Sequence, residues 1–511
     1  MSEYIDQSLK KAAKGTTFIF VGTIASSLLL LATKVLIVRH TTKEEFGIYS
    51  LSVAITTIIT LLATFGIFEG VARYVAIYVG KGERSEADRV ARSALKIGII
   101  TGFIAGTLLF FGARILSTYI FNLSQLTVPL QIVAVSIPFY VLSHIMIGVL
   151  RGYGLIASRV YFLDVGLPLV ILLFLLFNFF VGLPFITLVV IYSLSIVLIS
   201  ISIAYSYRRT AGTHPFDLTA AGKGKELFKF SVPLLVGTVM TLVFGWTDSL
   251  MLGRYAGAQS VGVYDVSSSF AKLLNFPLAA LEFVFLPIAG AMFAQQQMLE
   301  LKRTYQVLTK WVFLATVPIF AMLFVFSEPA IALFFGSRFN DAVPPFRILA
   351  IGFLFHAAMG ANGILMVVIG LSREIMAVSI AGAVLNIVLN YLLIRVLAFG
   401  ILGAAMATVL TYVVLNVVVS IIVYRKARIH PITVRYLKST VSVLAAGLVL
   451  AGGTFLVPVS IWMLPVFFPI FLVTLGIMLL VTKSVDHEDV SLFHAIAEKT
   501  GIKKGLFSRW G

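Results

Sequence analysis

Long apolar runs recur along the whole of this chain. Each is about 20 residues long, the length that an α-helix needs to cross the roughly 30 Å hydrocarbon core of a bilayer. The polar segments between them are short, so none of them can hold a separate soluble domain. With 59% hydrophobic and 12% charged residues, the chain is too apolar for a surface that water must cover. The pattern predicts a polytopic, all-α membrane protein.

The apolar runs and their flanking charges predict about fourteen spans. The first run follows Lys10, Lys11 and Lys14 and has no cleavage site after it, so we expect it to remain as a span. The predicted spans are residues 15–38, 47–72, 93–117, 126–150, 160–181, 184–206, 228–252, 262–290, 308–326, 346–370, 374–397, 399–424, 436–457 and 459–481.

Lysine and arginine are distributed unevenly among the loops. With a cytoplasmic N-terminus, 30 of the 39 fall on the cytoplasmic side and 7 on the other, and Lys34 and Lys272 lie inside spans. Cytoplasmic loops of membrane proteins carry such an excess. We therefore predict a multi-pass protein of the cell (plasma or inner) membrane with both termini cytoplasmic. The formal charge of +17 is then a consequence of topology, and we expect no nucleic-acid partner.

The sequence repeats itself at a constant offset of 215 residues. Six spans separate the copies, an even number, so both copies have the same orientation and are related by an axis along the membrane normal. The matching segments are Val21-Gly22-Thr23 with Val236-Gly237-Thr238, Arg39 with Arg254, Gly47-x-Tyr49 with Gly262-x-Tyr264, and Val128-Pro129 with Val343-Pro344.

The repeat predicts two pseudo-symmetric six-helix lobes with two extra helices after them. The first lobe is 1–206, a cytoplasmic linker is 207–227, and the second lobe is 228–424. Residues 425–481 form the two added spans, and 482–511 form a cytoplasmic amphipathic tail.

Charged and strongly polar side chains inside spans are candidate functional residues, because a charge at mid-bilayer costs roughly 2.5–3.5 kcal/mol. Span 8 carries Asp265, Ser268, Lys272, Asn275 and Glu282, which a 3.6-residue period places on one helix face. The equivalent positions of span 2, beginning at Ser50, are mildly polar and carry no charge. The candidates for a hydrated central cavity are Lys34, Arg39, Asp248, Arg254, Asp265, Lys272, Asn275 and Glu282.

Most of these residues also have a structural interpretation. Lys34 lies one turn from the end of its span and could snorkel to the interface. The span 8 stripe could form a salt-bridge network without any ligand, and Arg39 and Arg254 could anchor the chain at the lipid interface.

Other charged residues suggest ion coupling or local pairing. Asp164 is a lone acid in span 5, and together with Asp248 and Asp265 it is a candidate for coupling to Na⁺ or H⁺. Glu69 and Arg73 are spaced i, i+4, which predicts a structural ion pair.

The sequence contains no motif for catalysis or for a bound cofactor. It has no cysteine, no phosphate-binding glycine loop and no paired histidines on a helix. We expect no metal site, no cofactor and no enzymatic activity, so any uphill transport would have to use an ion gradient, the membrane potential or removal of the product.

Several segments together resemble the polysaccharide (O-antigen, Wzx-type) flippase family of the multidrug/oligosaccharidyl-lipid/polysaccharide (MOP) exporter superfamily. They are the Lys14-to-Phe20 lead into span 1, Arg39-x₇-Gly47-Ile48-Tyr49, Gly66-x-x-Glu69, Leu150-Arg151-Gly152 and Gly262-Val263-Tyr264. The resemblance covers spans 1–12, and two further C-terminal spans are usual in that family.

The resemblance implies a MATE-like bundle that moves a lipid-linked oligosaccharide from the cytoplasmic to the outer leaflet by alternating access. The headgroup would pass a partly cationic cavity while its polyprenyl-(pyro)phosphate chain stays in lipid. The partners implied are membrane lipids and glycosyltransferases or a polymerase of the same pathway, around a monomer. One alternative is a cation-coupled multidrug exporter of the same superfamily, which Lys34 in place of a span 1 acid disfavours. A membrane-embedded glycan polymerase or an envelope scaffold is a second alternative.

Overall fold

Helices occupy almost all of the described chain. The structure, a computed structural model, describes residues 22–182, 184–211, 224–456 and 460–484. Every regular element in these ranges is helical. They are α1 (Gly22–His40), α2 (Lys43–Ala63), α3 (Ile67–Gly80), α4 (Arg84–Ile115), α5 (Thr127–Gly152), α6 (Leu167–Val181), α7 (Ile186–Ala211), α8 (Gly224–Tyr255), α9 (Gly257–Ala271), α10 (Phe276–Ala294), α11 (Met298–Val325), α12 (Ser327–Phe335), α13 (Val343–Met359), α14 (Asn362–Val368), α15 (Ser372–Asn390), α16 (Gly400–Ala427), α17 (Val434–Leu456) and α18 (Leu464–Val481).

The described helices confirm the predicted membrane fold. Thirteen of them, alone or with adjoining short helical turns, are long and apolar enough to cross a bilayer. Helix α8 lies over the remaining predicted span, the seventh. The chain is therefore a multi-pass helical membrane protein. The predicted tail lies almost entirely outside the described residues, as does the middle of the predicted 207–227 linker.

Three predicted spans are interrupted within the membrane-length segment. Span 2 breaks between Ala63 and Ile67, and span 10 breaks between Met359 and Asn362. In span 8, a 3₁₀ turn at Lys272–Asn275 separates α9 from α10. Pro277 opens α10 and has no backbone N–H to donate to the preceding turn. Because a 3₁₀ turn advances three residues per turn, the predicted continuous stripe from Asp265 to Glu282 is interrupted there.

The chain divides into two compact units. The first is Met1–Val266 with Ala383–Ala404, and the second is Ser267–Gly382 with Ala405–Gly511. These boundaries cut α9, α15 and α16, so the units are not simple sequence halves. The predicted lobes at 1–206 and 228–424 remain a prediction.

Helices α4 and α5 form the most extensive helix–helix contact of the first unit. Gly98, Gly102 and Gly106 form a stripe with a spacing of four residues along α4. A Cβ atom on Gly102 would lie 3.0 Å from Pro138 Cα, and one on Gly106 would lie 2.8 Å from the Ala134 carbonyl oxygen. Small residues at this spacing let two membrane helices approach with their backbones nearly in contact.

In the second unit, α17 and α18 pack on α11 through aromatic side chains. The ring centres of Phe313 and Tyr436 are 5.3 Å apart, and those of Phe326 and Phe467 are 5.8 Å apart. Tyr436 also donates its hydroxyl hydrogen to the Ala358 carbonyl oxygen at 2.9 Å. The two added C-terminal spans are therefore an integral part of this unit.

Candidate functional site

The start of α2 is fixed by local sequence. Thr42 accepts a hydrogen bond from the Glu45 amide at 3.2 Å, and Glu45 accepts one from the Thr42 amide at 2.8 Å. This capping box satisfies backbone donors that the first helical turn would otherwise leave unpaired. It fixes where α2 begins, and with it the positions of the Gly47-x-Tyr49 motif and Ser50 along the helix.

Equivalent residues of the two repeat copies touch each other next to this capped end. Gly47 and Gly262 are 215 positions apart, and a Cβ atom on either would lie 3.1 Å from the backbone nitrogen of the other. Ser50 and Asp265 have the same separation, and Ser50 Oγ donates to Asp265 Oδ2 at 2.9 Å. Two pairs of repeat-equivalent residues therefore meet where α2 and α9 touch.

Asp265 also binds the candidate cation of α1. Lys34 Nζ lies 3.0 Å from Asp265 Oδ1, and the two side chains are 26% and 19% exposed. Lys34 is thus ion-paired inside the first unit and does not extend to the interface, the alternative considered from sequence. Both oxygens of the Asp265 carboxylate are used, one by Lys34 and one by Ser50.

A second polar group surrounds Asp248 in α8. The Asp248 side chain is buried and accepts a hydrogen bond from the Tyr264 hydroxyl. Asn390 Nδ2 donates to Asp248 Oδ1 at 2.7 Å. Asn386, one turn earlier in α15, is 1% exposed. Within the described ranges, neither side-chain atom of Asn386 nor the Oδ1 of Asn390 has a hydrogen-bond partner. Buried polar atoms without partners are rare, and they suit a ligand.

The remaining candidates are more scattered. Arg39 is exposed, whereas an amino nitrogen of the half-buried Arg254 lies 2.6 Å from the side-chain amide of Asn122. Lys272, Asn275 and Glu282 belong to the second unit. Lys272 is exposed, Glu282 is half-buried, and Asn275 Oδ1 is buried without a hydrogen-bond partner among the described residues.

Two of the sequence predictions need correction. Among the described residues Glu69 pairs with Arg151 at 3.2 Å, and not with Arg73. The Arg73 guanidinium instead lies 4.3 Å from the centre of the Phe230 ring, a cation–π contact with α8. Asp164 is not a lone acid, because Arg159 Nε lies 3.7 Å from its Oδ1 and its side chain is 31% exposed.

Sequence reasoning did not include Ser50, Tyr264, Asn386 and Asn390 among the site residues. Ser50 could have been found from the repeat, since the offset of 215 residues maps it directly onto Asp265. Tyr264 belongs to the repeated Gly-x-Tyr motif. The two asparagines show only the four-residue spacing that places them on one helix face, a pattern that helix packing also produces.

Two family models match the chain. One, described as polysaccharide biosynthesis protein, matches residues 12–293, and the MatE model matches residues 233–392. An uncharacterized membrane protein of Methanocaldococcus jannaschii is 21% identical over 409 residues, which cover 75% of this chain and 79% of that protein. Teichuronic acid biosynthesis protein TuaB of Bacillus subtilis is 24% identical over 155 residues, which cover 29% of this chain and only 31% of that protein.

Solved structures with the same fold are membrane transporters. Lipid II flippase MurJ in an inward closed conformation superposes with a TM-score of 0.71 at 16% identity, covering 92% of this chain and 99% of that one. An inward-facing multidrug resistance MATE family transporter of the MOP superfamily superposes with a TM-score of 0.68 at 18% identity, covering 79% and 94%. At these identities the likeness establishes the fold, which is MATE-like as the sequence resemblance implied.

Proposed function

Because this chain belongs to the polysaccharide biosynthesis protein family, we propose that it is a flippase that moves a lipid-linked oligosaccharide from the cytoplasmic to the outer leaflet. The family match together with the shared fold makes it a membrane transporter of the MOP superfamily. The MurJ structure, a lipid II flippase, supports a lipid-linked substrate.

The observation that carries the proposal is the Lys34–Asp265 ion pair, next to the contact between repeat-equivalent residues Ser50 and Asp265. A phosphate or pyrophosphate group attracts an ammonium more strongly than a carboxylate does, because it carries more charge and more acceptor oxygens. Both partners are partly exposed, so an anion can reach Lys34. Substrate phosphate would then replace Asp265 on Lys34.

This exchange would couple substrate binding to a change of conformation. Asp265 is held by Lys34 and Ser50 where α2 and α9 touch, and losing one partner weakens that contact. The predicted topology places the start of α2 at the outer face. We therefore propose that this contact closes the outer side and opens during the cycle, with Arg39 and Arg254 as further cationic partners of the headgroup. Lys272, in the second unit, is a separate cationic candidate from the sequence.

Leaflet transfer in proteoliposomes tests the proposal. Protein would be reconstituted with a polyprenyl-pyrophosphate-linked oligosaccharide, and glycan exposure on the opposite leaflet would be measured with an impermeant lectin. We expect Lys34→Ala, Arg254→Ala and Lys272→Ala each to slow transfer about tenfold or more, since each removes a charge-assisted contact. Arg114→Ala, an exposed cation outside the proposed site, is the matched control. Wild-type protein without transfer would refute the flippase, and normal transfer by all three variants would refute the cationic route.

We propose that the Asp248 group binds the coupling cation. Asp248 supplies a carboxylate. The side-chain oxygens of Asn386 and Asn390, which have no partner in the described part of the chain, are hard ligands suited to Na⁺ or to a hydrated proton. Asp265 and Asp164 are each engaged by a basic side chain, which makes them poorer cation sites.

Replacing Asp248 tests this coupling assignment. We expect Asp248→Asn to retain membrane insertion but to lose the dependence of transfer on a Na⁺ or pH gradient, because the variant cannot carry the negative charge. Transfer would be compared with each gradient imposed separately. An Asp248→Asn variant that responds to both gradients as the wild type does would remove Asp248 as the coupling residue. Asp88→Asn, near the start of α4 and outside this group, is the control.

The MatE match over residues 233–392 favours a second candidate, a cation-coupled drug exporter. Such exporters couple to Na⁺ or H⁺ bound at acids in their first half, and span 1 here has Lys34 and no acid. An exporter predicts that cells expressing the protein accumulate less of a fluorescent organic cation, and that Lys34→Ala leaves this export intact. The flippase predicts no such export.

A further inference from the structure

Two arginines from different elements lie over one aromatic ring, at a place distinct from the site described above. The guanidinium carbon of Arg151 is 4.8 Å from the centre of the Phe68 ring, and that of Arg159 is 6.0 Å from it. Arg151 lies in the last turn of α5, Arg159 leads into the following π-helical segment, and Phe68 lies in the first turn of α3. We call these three residues, with their acidic partners Glu69 and Asp164, the arginine cluster.

Each arginine of the cluster has one carboxylate partner, held by a single contact. Arg151 pairs with Glu69 at 3.2 Å, and Arg159 pairs with Asp164 at 3.7 Å. The four side chains are between 31% and 55% exposed. Ion pairs of this kind contribute little free energy, because water screens them and holding two long side chains together costs entropy. The carboxylates can therefore be exchanged for a stronger anion.

From this arrangement we infer that the arginine cluster binds the phosphate or pyrophosphate of the lipid-linked substrate when the substrate is loaded. A guanidinium offers a planar fork of donors that matches two phosphate oxygens, and it keeps its charge at any physiological pH. Both guanidinium carbons lie within 6.0 Å of the centre of the same ring, which brings two cations to one place on the chain. The Phe68 ring contacts the arginines through cation–π interactions, which do not use their N–H donors.

The position of the cluster suits loading from the cytoplasmic leaflet. In the predicted topology, the 151–159 connection and the end of span 2 both lie on the cytoplasmic side. Leu155 and Ile156, within this connection, are 44% and 61% exposed. Apolar side chains exposed beside cations are typical of the membrane interface, where lipid phosphates lie. The inference rests on the proposed function, since it concerns how that function's substrate is recognised.

Binding to purified protein tests the inference without requiring transport. Full-length protein in phosphatidylcholine nanodiscs would be titrated with radiolabelled polyprenyl pyrophosphate. We expect Arg151→Gln with Arg159→Gln to weaken the Kd about ten- to hundredfold, because two charge-assisted contacts are lost. The control, Arg89→Gln with Arg303→Gln, removes the same charge from exposed i, i+3 pairs on the same predicted side. Equal Kd values for the arginine-cluster variant and the wild type would overturn the inference.

Removing the acids of the cluster gives a change of opposite sign. Glu69→Gln with Asp164→Asn eliminates the two carboxylates that compete for the arginines, so we expect binding to tighten about two- to fivefold. A purely structural role of the ion pairs predicts unchanged or weaker binding instead. This variant keeps the inference testable if the double arginine variant fails to fold, as judged by gel filtration and circular dichroism.

Competition identifies the source of the anion. Phosphatidylglycerol in the nanodisc would displace the probe if the cluster were a general site for lipid headgroups, and displacement at equal concentration would overturn assignment to the substrate. Wild-type protein that binds the probe through the cluster but transfers no glycan would refute the proposed flippase while leaving an anion site. Wild-type protein that transfers glycan but binds equally with and without the arginines would refute only this inference.

Discussion

Asp265 has a central position because one carboxylate serves two different chain segments. Its oxygens accept from Lys34 of α1 and from Ser50 of α2, its own repeat equivalent. The two repeat copies have diverged from serine to aspartate at this position. The charge in one copy is balanced by Lys34 of the other, which explains why a membrane span tolerates both.

We predict that removing either member of this pair destabilises the protein. Lys34→Ala and Asp265→Ala should each lower the free energy of unfolding by about 1–2 kcal/mol, less than for a fully buried pair because both side chains are partly exposed. The double variant should lose less than the sum. Unfolding would be followed by tryptophan fluorescence in detergent. The exposed Glu300–Arg303 pair is the control and should contribute less than about 1 kcal/mol. Strict additivity of the two substitutions would argue against a direct interaction.

The Glu69–Arg73 prediction shows what sequence spacing cannot decide. The i, i+4 relation brings two side chains near each other on a helix, but each also has neighbours from other elements. Here Arg151 approaches from α5, and the Phe230 ring of α8 lies against Arg73. These neighbours are 82 and 157 positions away along the chain, so no local pattern reveals them.

At the scale of elements, the α4–α5 contact depends on glycines of α4, which have no side chain to hold the two helices apart. The stripe at Gly98, Gly102 and Gly106 was not singled out from the sequence, although its four-residue spacing was visible there. Its meaning depends on Pro138 and Ala134 of α5, which lie directly opposite.

We predict that Gly102→Leu and Gly106→Leu separate α4 from α5. A leucine at either position has no space, so we expect destabilisation of about 1–3 kcal/mol or more from overpacking. Gly112→Leu, in the same helix with no heavy atom within 4 Å of its added Cβ, should have little effect. Thermal unfolding in detergent measures all three. Equal unfolding temperatures for Gly106→Leu and Gly112→Leu would contradict the close contact.

The interrupted spans show what hydropathy cannot predict about a helix. Hydropathy detects the length and polarity of a span, and the runs at 47–72 and 346–370 were long enough to cross a bilayer. It does not detect where the hydrogen-bond ladder is broken, because the breaks at 64–66 and 360–361 leave the apolar composition almost unchanged. Neighbouring helices can satisfy the backbone groups freed at such breaks.

At the scale of the whole molecule, the charge asymmetry makes a prediction about orientation. The absence of cysteine from the sequence provides a background in which single thiols can be placed. We predict that Lys81→Cys and Arg209→Cys react with an impermeant maleimide only from the cytoplasmic side. Arg114→Cys and Arg338→Cys should react only from outside. Labelling would be scored on intact and on inverted vesicles, and an outside label at Lys81→Cys would invert or break the predicted topology.

The sequence by itself determined the fold class, the approximate spans, the internal repeat and the family. The first three follow from properties that add up along the chain, namely apolar length, charge balance and a constant offset, and the family follows from the resemblance of several short segments. The tertiary structure alone decided that Asp265 binds Lys34 and Ser50, that Asn386 and Asn390 lie beside Asp248, and that two arginines share the Phe68 ring. A side chain's partner depends on which helices become neighbours, and packing of the whole bundle determines that.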